Sequence, residues 1–134
     1  MDDTNFLSCN ITLVTYNLHG YNQGVHTIRD LIDSSSPDIF LLQEHWQTPE
    51  NLSKFSRDFP DYYCFGSSAL ADAVAAGPLY GRPFGGVMTM TKNDIMHNCE
   101  CLIAAERFVI IKIGDLLIIN VYLPAAAPEM KKIL

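Results

Sequence analysis

The sequence has no apolar run that approaches the roughly 20 residues a membrane-spanning helix needs. The run at 116–119, with its neighbours, is only of strand length. The first five residues, 1–5, are acidic and polar, unlike a secretory signal or a basic transit peptide. These absences predict a protein that makes no use of a membrane and is intracellular, in the nucleus or the cytoplasm.

Cysteine is sparse, and its spacing suggests no disulfide framework. The four cysteines are Cys9, Cys64, Cys99 and Cys101. Cys99 and Cys101 form a Cys-x-Cys pair, but no second Cys or His pair follows at zinc-finger spacing. Free cysteine is commonly packed in apolar surroundings, so we expect reduced, partly buried thiols.

Positive charge is also scarce: nine Lys and Arg stand against fifteen Asp and Glu, a net charge of −6. Non-specific affinity for nucleic acid comes mainly from Lys and Arg meeting phosphates, so this balance argues against a broad basic nucleic-acid surface. It does not exclude an enzyme that reaches phosphates through a metal ion. With 134 residues, 49% of them hydrophobic, the chain has the size and composition of one globular domain.

Hydrophobic periodicity and turn residues predict the order of the elements. Apolar, β-branched and aromatic residues predict strands over residues 10–17, 38–43, 62–65, 87–91, 106–114 and 116–122. Helical spacing and an N-terminal Thr-Pro-Glu predict helices over 25–35 and 48–58. We expect a turn at 19–22, a long loop over 67–84 and the start of a further helix at 129–134. Two strands separated by one helix predict a crossover, and hence an α/β fold with helices covering a sheet.

Three of the predicted strands end in polar side chains. These are Asn17 and His19, then Gln43, Glu44 and His45, and finally Asn120 and Tyr122. Ligand sites in α/β sheets collect where strand ends converge, and Mg²⁺ takes few protein carboxylates, keeping its other positions for water and phosphate oxygens. Three of these residues also have a structural interpretation. In it, Asn17 shapes a turn, Glu44 is a charged residue in the first turn after a strand, and Tyr122 is a core aromatic.

Four motifs, "YNLHG", "LLQEHW", "GRPFGGV" and "IINVYLP", occur in this order. Together they resemble the N-terminal half of the endonuclease/exonuclease/phosphatase superfamily, and within it the endonuclease domain of LINE-type (non-LTR) retrotransposons. The resemblance covers residues 10–124. It implies half of a four-layer α/β-β/α sandwich, with a mixed, mostly antiparallel sheet and helices on one face. It also implies Mg²⁺, with Mn²⁺ as an alternative, and DNA as the partner.

The resemblance assigns roles residue by residue. Asn17 matches an asparagine beside the metal and the phosphate, Glu44 matches a metal-binding glutamate, and Tyr122 matches a tyrosine that contacts the scissile phosphate. These three form the expected catalytic set, with Glu44 and Asn17 as metal ligands and Asn17, Arg107 and Tyr122 as substrate-binding residues. For Arg107 a surface charge is the favoured interpretation, and a contact with the phosphate is the alternative. Gly85 and Gly86 match a glycine pair with a structural role. For His45 and Trp46 we expect packing or site-rim roles. His19 stands where relatives often have Asp or Asn.

The sequence departs from the family pattern after its last motif. Family members continue with an Asp-x-Asn pair, a further Asp and a Ser-Asp-His whose histidine drives the chemistry, and none of these follows Pro124 here. We therefore expect an extension at 1–9, a partial domain at 10–134 that lacks its C-terminal half or parent polyprotein, and one sheet face left uncovered.

Three functions stay open at this point. The first is an incomplete Mg²⁺-dependent DNA endonuclease of a retrotransposon-like element, without activity as this chain alone. The second is a phosphatase or phosphodiesterase acting on an inositol phosphate, a lipid or a nucleotide. The third is a non-catalytic remnant or interaction fragment.

Overall fold

The computed structural model describes residues 10–78 and 84–123. In these ranges the chain forms seven strands and three α-helices. The strands are β1 (Leu13–Asn17), β2 (Ile39–Gln43), β3 (Tyr62–Ser67), β4 (Val87–Lys92), β5 (Cys99–Ala104), β6 (Phe108–Ile113) and β7 (Leu116–Val121). The helices are α1 (Tyr21–Ser34), α2 (Ser53–Asp58) and α3 (Ala71–Ala75), and 3-10 turns lie at Pro49–Asn51 and Asn93–Asn98. No helix of the described ranges has the length and apolar character to cross a membrane.

The strands form two sheets. The first has the order β1-β2-β4-β3, with β1 and β2 parallel and the other neighbours antiparallel. The second is an antiparallel meander of β5, β6 and β7. Helix α1 makes the crossover between β1 and β2, as the sequence predicts. The expected mixed, mostly antiparallel α/β architecture is confirmed, but the expectation of a single sheet is wrong, because β5, β6 and β7 form a second sheet.

Strand β2 lies at the centre of the packing. Its Phe40 and Leu42 belong to a core shared with α1 and α2, whereas Ile39 and Leu41 belong to a second core between the two sheets. Because both faces of this strand are buried, its sequence is an uninterrupted apolar run rather than an alternating one. The β2 strand therefore carries its C-terminal end, and Glu44 just beyond it, to the junction of three layers.

Helix α1 begins four residues before its predicted start at Val25. The turn needs only His19 and Gly20, which have positive φ angles of 50° and 93°. Tyr21 then packs inward as the first helical residue, with its ring 4.9 Å from that of Phe55. Tyr21 lies four residues before Val25 and seven before Ile28, on the same helical face. The helical spacing therefore extends back to Tyr21, and the predicted turn at 19–22 wrongly placed it outside the helix.

Strand β5 and helix α3 were not predicted. Cys99 and Cys101 point into the core between the sheets, but the register of β5 shifts between Cys101 and Ile103, which breaks the alternation that marks a strand. Helix α3 occupies five residues of the predicted loop at 67–84. The predicted helix at 48–58 is instead a 3-10 turn followed by the short α2. The expected extension at 1–9, the helix at 129–134 and part of the "GRPFGGV" motif lie outside the described residues.

The cysteines of the described ranges are free. Cys64, Cys99 and Cys101 are partly buried thiols, as expected, and Cys9 lies outside the described residues. Burial raises the pKa of the Cys64 thiol to about 11. A thiol with such a pKa carries almost no thiolate at neutral pH, which argues for packing rather than reactivity.

The outer face of the second sheet is apolar except at Glu100 and Lys112, which pair with each other at one end of it, and the described residues leave it open to solvent. Paired positions place Leu117, Ile119 and Val121 of β7 on this face, at 55%, 55% and 50% exposure. Ile103 of β5 lies beside Ile110 of β6 on the same face and is 47% exposed. A contiguous apolar face of this kind marks an interaction surface or an aggregation hazard.

Replacing Leu117 and Ile119 together by glutamine should reduce self-association, because both side chains add apolar area to the open face and support no core. We expect the association constant from sedimentation velocity to fall tenfold or more, equivalent to about 1.4 kcal/mol. Ile118→Gln is the matched control: its side chain points inward and is buried, so it should unfold the protein instead. Wild-type protein that stays monomeric at all concentrations would contradict this prediction.

Candidate active site

The ends of β1 and β2 present Asn17 and Glu44 side by side. In the parallel register Asn17 is paired with Gln43, so Glu44 follows directly beyond the pair. The side-chain amide of Asn17 donates a hydrogen bond to the Glu44 carboxylate. The side-chain oxygen of Asn17 accepts a hydrogen bond from the backbone N–H of His19 at 3.0 Å. Asn17 is thereby fixed at both ends and orients the carboxylate of Glu44.

The backbone of Glu44 lies in the left-handed region, with φ at 55°. Such a conformation is uncommon for a residue with a side chain and persists only where its surroundings hold it. On one side, the backbone N–H of Gly20 donates to the carbonyl of Glu44 at 2.8 Å. The backbone N–H of Tyr21 donates to the carbonyl of His45 at 3.0 Å. On the other side the backbone N–H of Trp46 donates to the carbonyl of Gly85 at 3.0 Å. The segment is therefore anchored to both the β1–α1 turn and the entry to β4.

Tyr122 reaches the same point from the second sheet. Partial burial and the negative charge of Glu44 raise the pKa of Tyr122, whereas the Arg107 guanidinium lowers it. The N–H of Tyr122 donates to the carbonyl of Arg107 at 2.9 Å, which holds the two residues next to each other. The structure thus brings together all four residues that the sequence singled out, Asn17, Glu44, Arg107 and Tyr122.

Asn120 is the residue whose importance the sequence understated. It is buried, and its Nδ2 donates toward the carbonyl oxygens of Leu42 and Met88, both at 3.1 Å. Its Oδ1 accepts from Nε2 of Gln43 at 2.8 Å. This one amide ties β7 to β2 and β4, and it fixes Tyr122 two residues further on. The available signal was a polar residue at an inward position of the alternating strand β7.

His45 is a packing residue, as predicted. Its ring is fully buried, with Nε2 3.0 Å from the Ser67 carbonyl and Nδ1 accepting the Gln47 N–H at 2.9 Å. A Cβ on Gly86 would overlap the imidazole, so a glycine is required there. Burial lowers the pKa of His45 to about 4, and the ring is therefore neutral at pH 7 and already occupied at both nitrogens.

The donor set at this site suits a loosely held hard cation. Among the described residues no group of three His, Cys, Asp or Glu side chains is placed to hold a metal ion. The site offers one carboxylate, Glu44, with an amide beside it. Mg²⁺ is often bound by only one or two carboxylates, together with water and substrate phosphates, so the residues present fit a cation of that kind.

Comparisons with known proteins agree with this fold. A model of the endonuclease/exonuclease/phosphatase family matches residues 14–120. No curated protein matches the chain significantly. Solved structures do match. The AP endonuclease LMAP from Leishmania major has a TM-score of 0.67 at 13% identity, over 99% of this chain and 46% of that one.

Two Neisseria structures are also similar. The 3′-5′ exonuclease NExo from Neisseria meningitidis has a TM-score of 0.61 at 15% identity, over 91% of this chain and 46% of that one. The 3′ phosphatase NExo from Neisseria, bound to product DNA hairpin, has a TM-score of 0.58 at 16% identity, over 84% of this chain and 41% of that one. At these identities the likeness concerns the fold, and this chain spans less than half the length of each structure.

Asn120→Ala should destabilise the protein by about 2 kcal/mol or more, because it leaves Gln43 and two buried carbonyls without their partner. Urea unfolding monitored by circular dichroism measures the change. Asn10→Ala is the matched control, since that amide is exposed, and we expect it to change the free energy of unfolding by no more than about 0.5 kcal/mol. Equal effects of the two substitutions would contradict the role assigned to Asn120.

Acidification should destabilise the protein through His45. Its pKa is about 6.5 in the unfolded chain and about 4 in the fold, so the unfolded state takes up the proton first. The stabilising effect is complete above about pH 6.5 and is lost as pH falls toward about 4, a total of about 3 kcal/mol.

Urea midpoints at about pH 7 and about pH 4.5 measure this loss, since they bracket most of the window. His45→Gln should lose less stability over the interval than wild type, whereas His26→Gln, at an exposed position of α1, should lose as much. An unchanged pH dependence in His45→Gln would show that other groups cause the loss.

Proposed function

The chain belongs to the endonuclease/exonuclease/phosphatase family, and from this premise we propose that it is the N-terminal part of a divalent-metal-dependent DNA endonuclease. The observation that carries the proposal is the meeting of Asn17, Glu44, Arg107 and Tyr122 at one point between the sheets. The DNA-processing enzymes among the similar structures support DNA as the substrate. The four sequence motifs support an origin in a LINE-type retrotransposon.

In this proposal Glu44 holds Mg²⁺ or Mn²⁺, and Asn17 orients the carboxylate by its hydrogen bond. A bound divalent cation supplies Lewis-acid stabilisation of the charge that develops on the phosphate. The Tyr122 hydroxyl, which keeps its proton at neutral pH as tyrosine ordinarily does and whose pKa is raised further, donates a hydrogen bond to a phosphate oxygen. Arg107, held beside Tyr122 by a backbone hydrogen bond, adds a positive charge for the same phosphate.

The general base is the part that these residues do not provide. By resemblance it belongs to a Ser-Asp-His that the sequence does not contain. His45 does not replace it, because both of its ring nitrogens are engaged within the protein. We therefore expect hydrolysis to require a complementary half of the domain.

A non-catalytic interaction fragment is the second candidate. The specific observation in its favour is the open apolar face of β7, where Leu117 and Ile119 are each 55% exposed. A phosphatase acting on an inositol phosphate, lipid or nucleotide shares the same chemistry at Glu44. Hydrolysis of a phosphoinositide and of duplex DNA, compared in a protein completed by its second half, separates that substrate class from DNA.

Glu44→Gln should weaken Mn²⁺ binding tenfold or more, because glutamine keeps an acceptor for Asn17 but removes the negative charge. The electron paramagnetic resonance signal of free Mn²⁺ measures the affinity. Glu100→Gln, at an exposed position of β5, is the matched control and should bind as wild type does. Wild-type protein without measurable Mn²⁺ binding, or equal binding by Glu44→Gln, would refute the metal site.

The chain alone should not nick supercoiled plasmid in the presence of Mg²⁺, since the Ser-Asp-His to which the resemblance assigns the general base is not in its sequence. The assay compares wild type with Glu44→Ala in the same preparation. Robust cleavage that Glu44→Ala abolishes would contradict the predicted lack of activity while supporting the metal site. Cleavage that persists in Glu44→Ala would point to a contaminating nuclease.

A further inference from the structure

A cavity of about 260 Å³ opens beside the first turn of α1, next to the segment that carries Glu44. It is lined by His19, Gly20, Tyr21, Asn22, Gln23, Trp46 and Gln47. None of these residues is assigned a part in metal binding or in holding the scissile phosphate. The two segments that form the cavity also carry Asn17 and Glu44, so it adjoins the phosphate site through the backbone.

The wall of this cavity is an aromatic pair held in place by unusual backbone. Trp46, the only tryptophan of the chain, has a positive φ of 61°. Its ring centroid lies 4.9 Å from that of His19, with the planes at 62°. A Cβ on Gly20 would come within 2.7 Å of the indole, so glycine leaves the room in which the ring is seated. Several local features thus fix one half-buried indole beside the cavity.

The remaining lining groups are neutral and polar. Asn22 and Gln23 are exposed on the first turn of α1, and Gln47 is buried, with Nε2 3.4 Å from the His45 carbonyl. Side-chain amides both donate and accept hydrogen bonds. No Lys, Arg, Asp or Glu is among the described residues that line the cavity. An aromatic wall with amides and no charged residue suits a planar ring with a hydrogen-bonding edge, rather than a phosphate or a metal ion.

We infer that this cavity binds a nucleobase of the substrate strand, next to the phosphate held at Glu44, with the base stacked on Trp46. The inference rests on the proposed function for the identity of the strand. A base inside a duplex cannot offer its face to a protein ring. The site therefore selects single-stranded DNA or a locally unpaired nucleotide.

The intrinsic fluorescence of Trp46 tests the inference directly, because no other tryptophan contributes. The titrant is a single-stranded oligodeoxynucleotide, compared at one salt concentration with an oligomer of equal length and charge that carries only abasic sites. Stacking should quench the indole, and the base-containing strand should bind at least fivefold more tightly. Equal quenching by the two strands, or no quenching by either, overturns the inference.

In the double variant Asn22→Ala and Gln23→Ala, the preference for the base-containing strand should fall at least threefold, since both residues line the cavity and both are exposed, so neither supports the core. His26→Ala, exposed on the same helix but outside the cavity, should retain it. If the double variant keeps the wild-type preference for the base-containing strand, the amides do not bind the base, and the proposed base site is refuted.

Mn²⁺ binding and base-dependent quenching, both measured on the wild type, separate this inference from the proposed function. If Mn²⁺ binding fails in the wild type while base-dependent quenching persists, the base site stands and the metal-dependent enzyme does not. If Mn²⁺ binds as proposed but the abasic strand quenches equally, the base site is refuted alone.

Discussion

The buried amide of Asn120 is the contact on which the arrangement of the site depends. The core between the sheets is formed by aliphatic side chains, and apolar packing has little directional preference. Asn120 adds direction: it reaches the carbonyls of Leu42 and Met88 and receives Gln43. Because an unpaired buried amide is costly, a slip of β7 by one residue is strongly disfavoured. This amide therefore helps to position Tyr122, which follows β7, relative to Glu44, which follows β2.

Backbone strain concentrates where the proposed chemistry lies. His19, Glu44 and Trp46 all adopt positive φ, and each conformation costs free energy that the surroundings must offset. Backbone hydrogen bonds from Gly20, Tyr21 and Trp46 provide the offset, and glycine at positions 20 and 86 leaves space for the Trp46 and His45 rings. The backbone hydrogen bonds that hold Glu44 near Tyr122 also hold Trp46 beside the cavity at the first turn of α1. The proposed metal and base sites therefore share one rigid support.

Much of this fold could be predicted from the sequence, because local patterns encode it. The helical spacing of Val25 and Ile28 and the apolar run of β2 identify the crossover. The two adjacent apolar stretches at 106–114 and 116–122 identify β6 and β7. Strand β5 was missed because its register shift breaks the alternation. The strand ends predicted that Asn17, Glu44 and Tyr122 would meet. The role of Asn120 and the left-handed backbone of Trp46 arise only from tertiary contacts, which no local pattern contains.

The charge of the chain also limits how it would engage DNA in the proposed function. With a net charge of −6, its long-range field repels a polyanion, so attraction must come from short-range contacts. Arg107 provides one positive charge at the phosphate, and a cation at Glu44 would provide another. Stacking on Trp46 needs no charge at all. Affinity that rests on few phosphate contacts depends only weakly on salt. A base site beside a single-carboxylate metal site therefore gives an acidic protein a route to a nucleic-acid substrate without a basic surface.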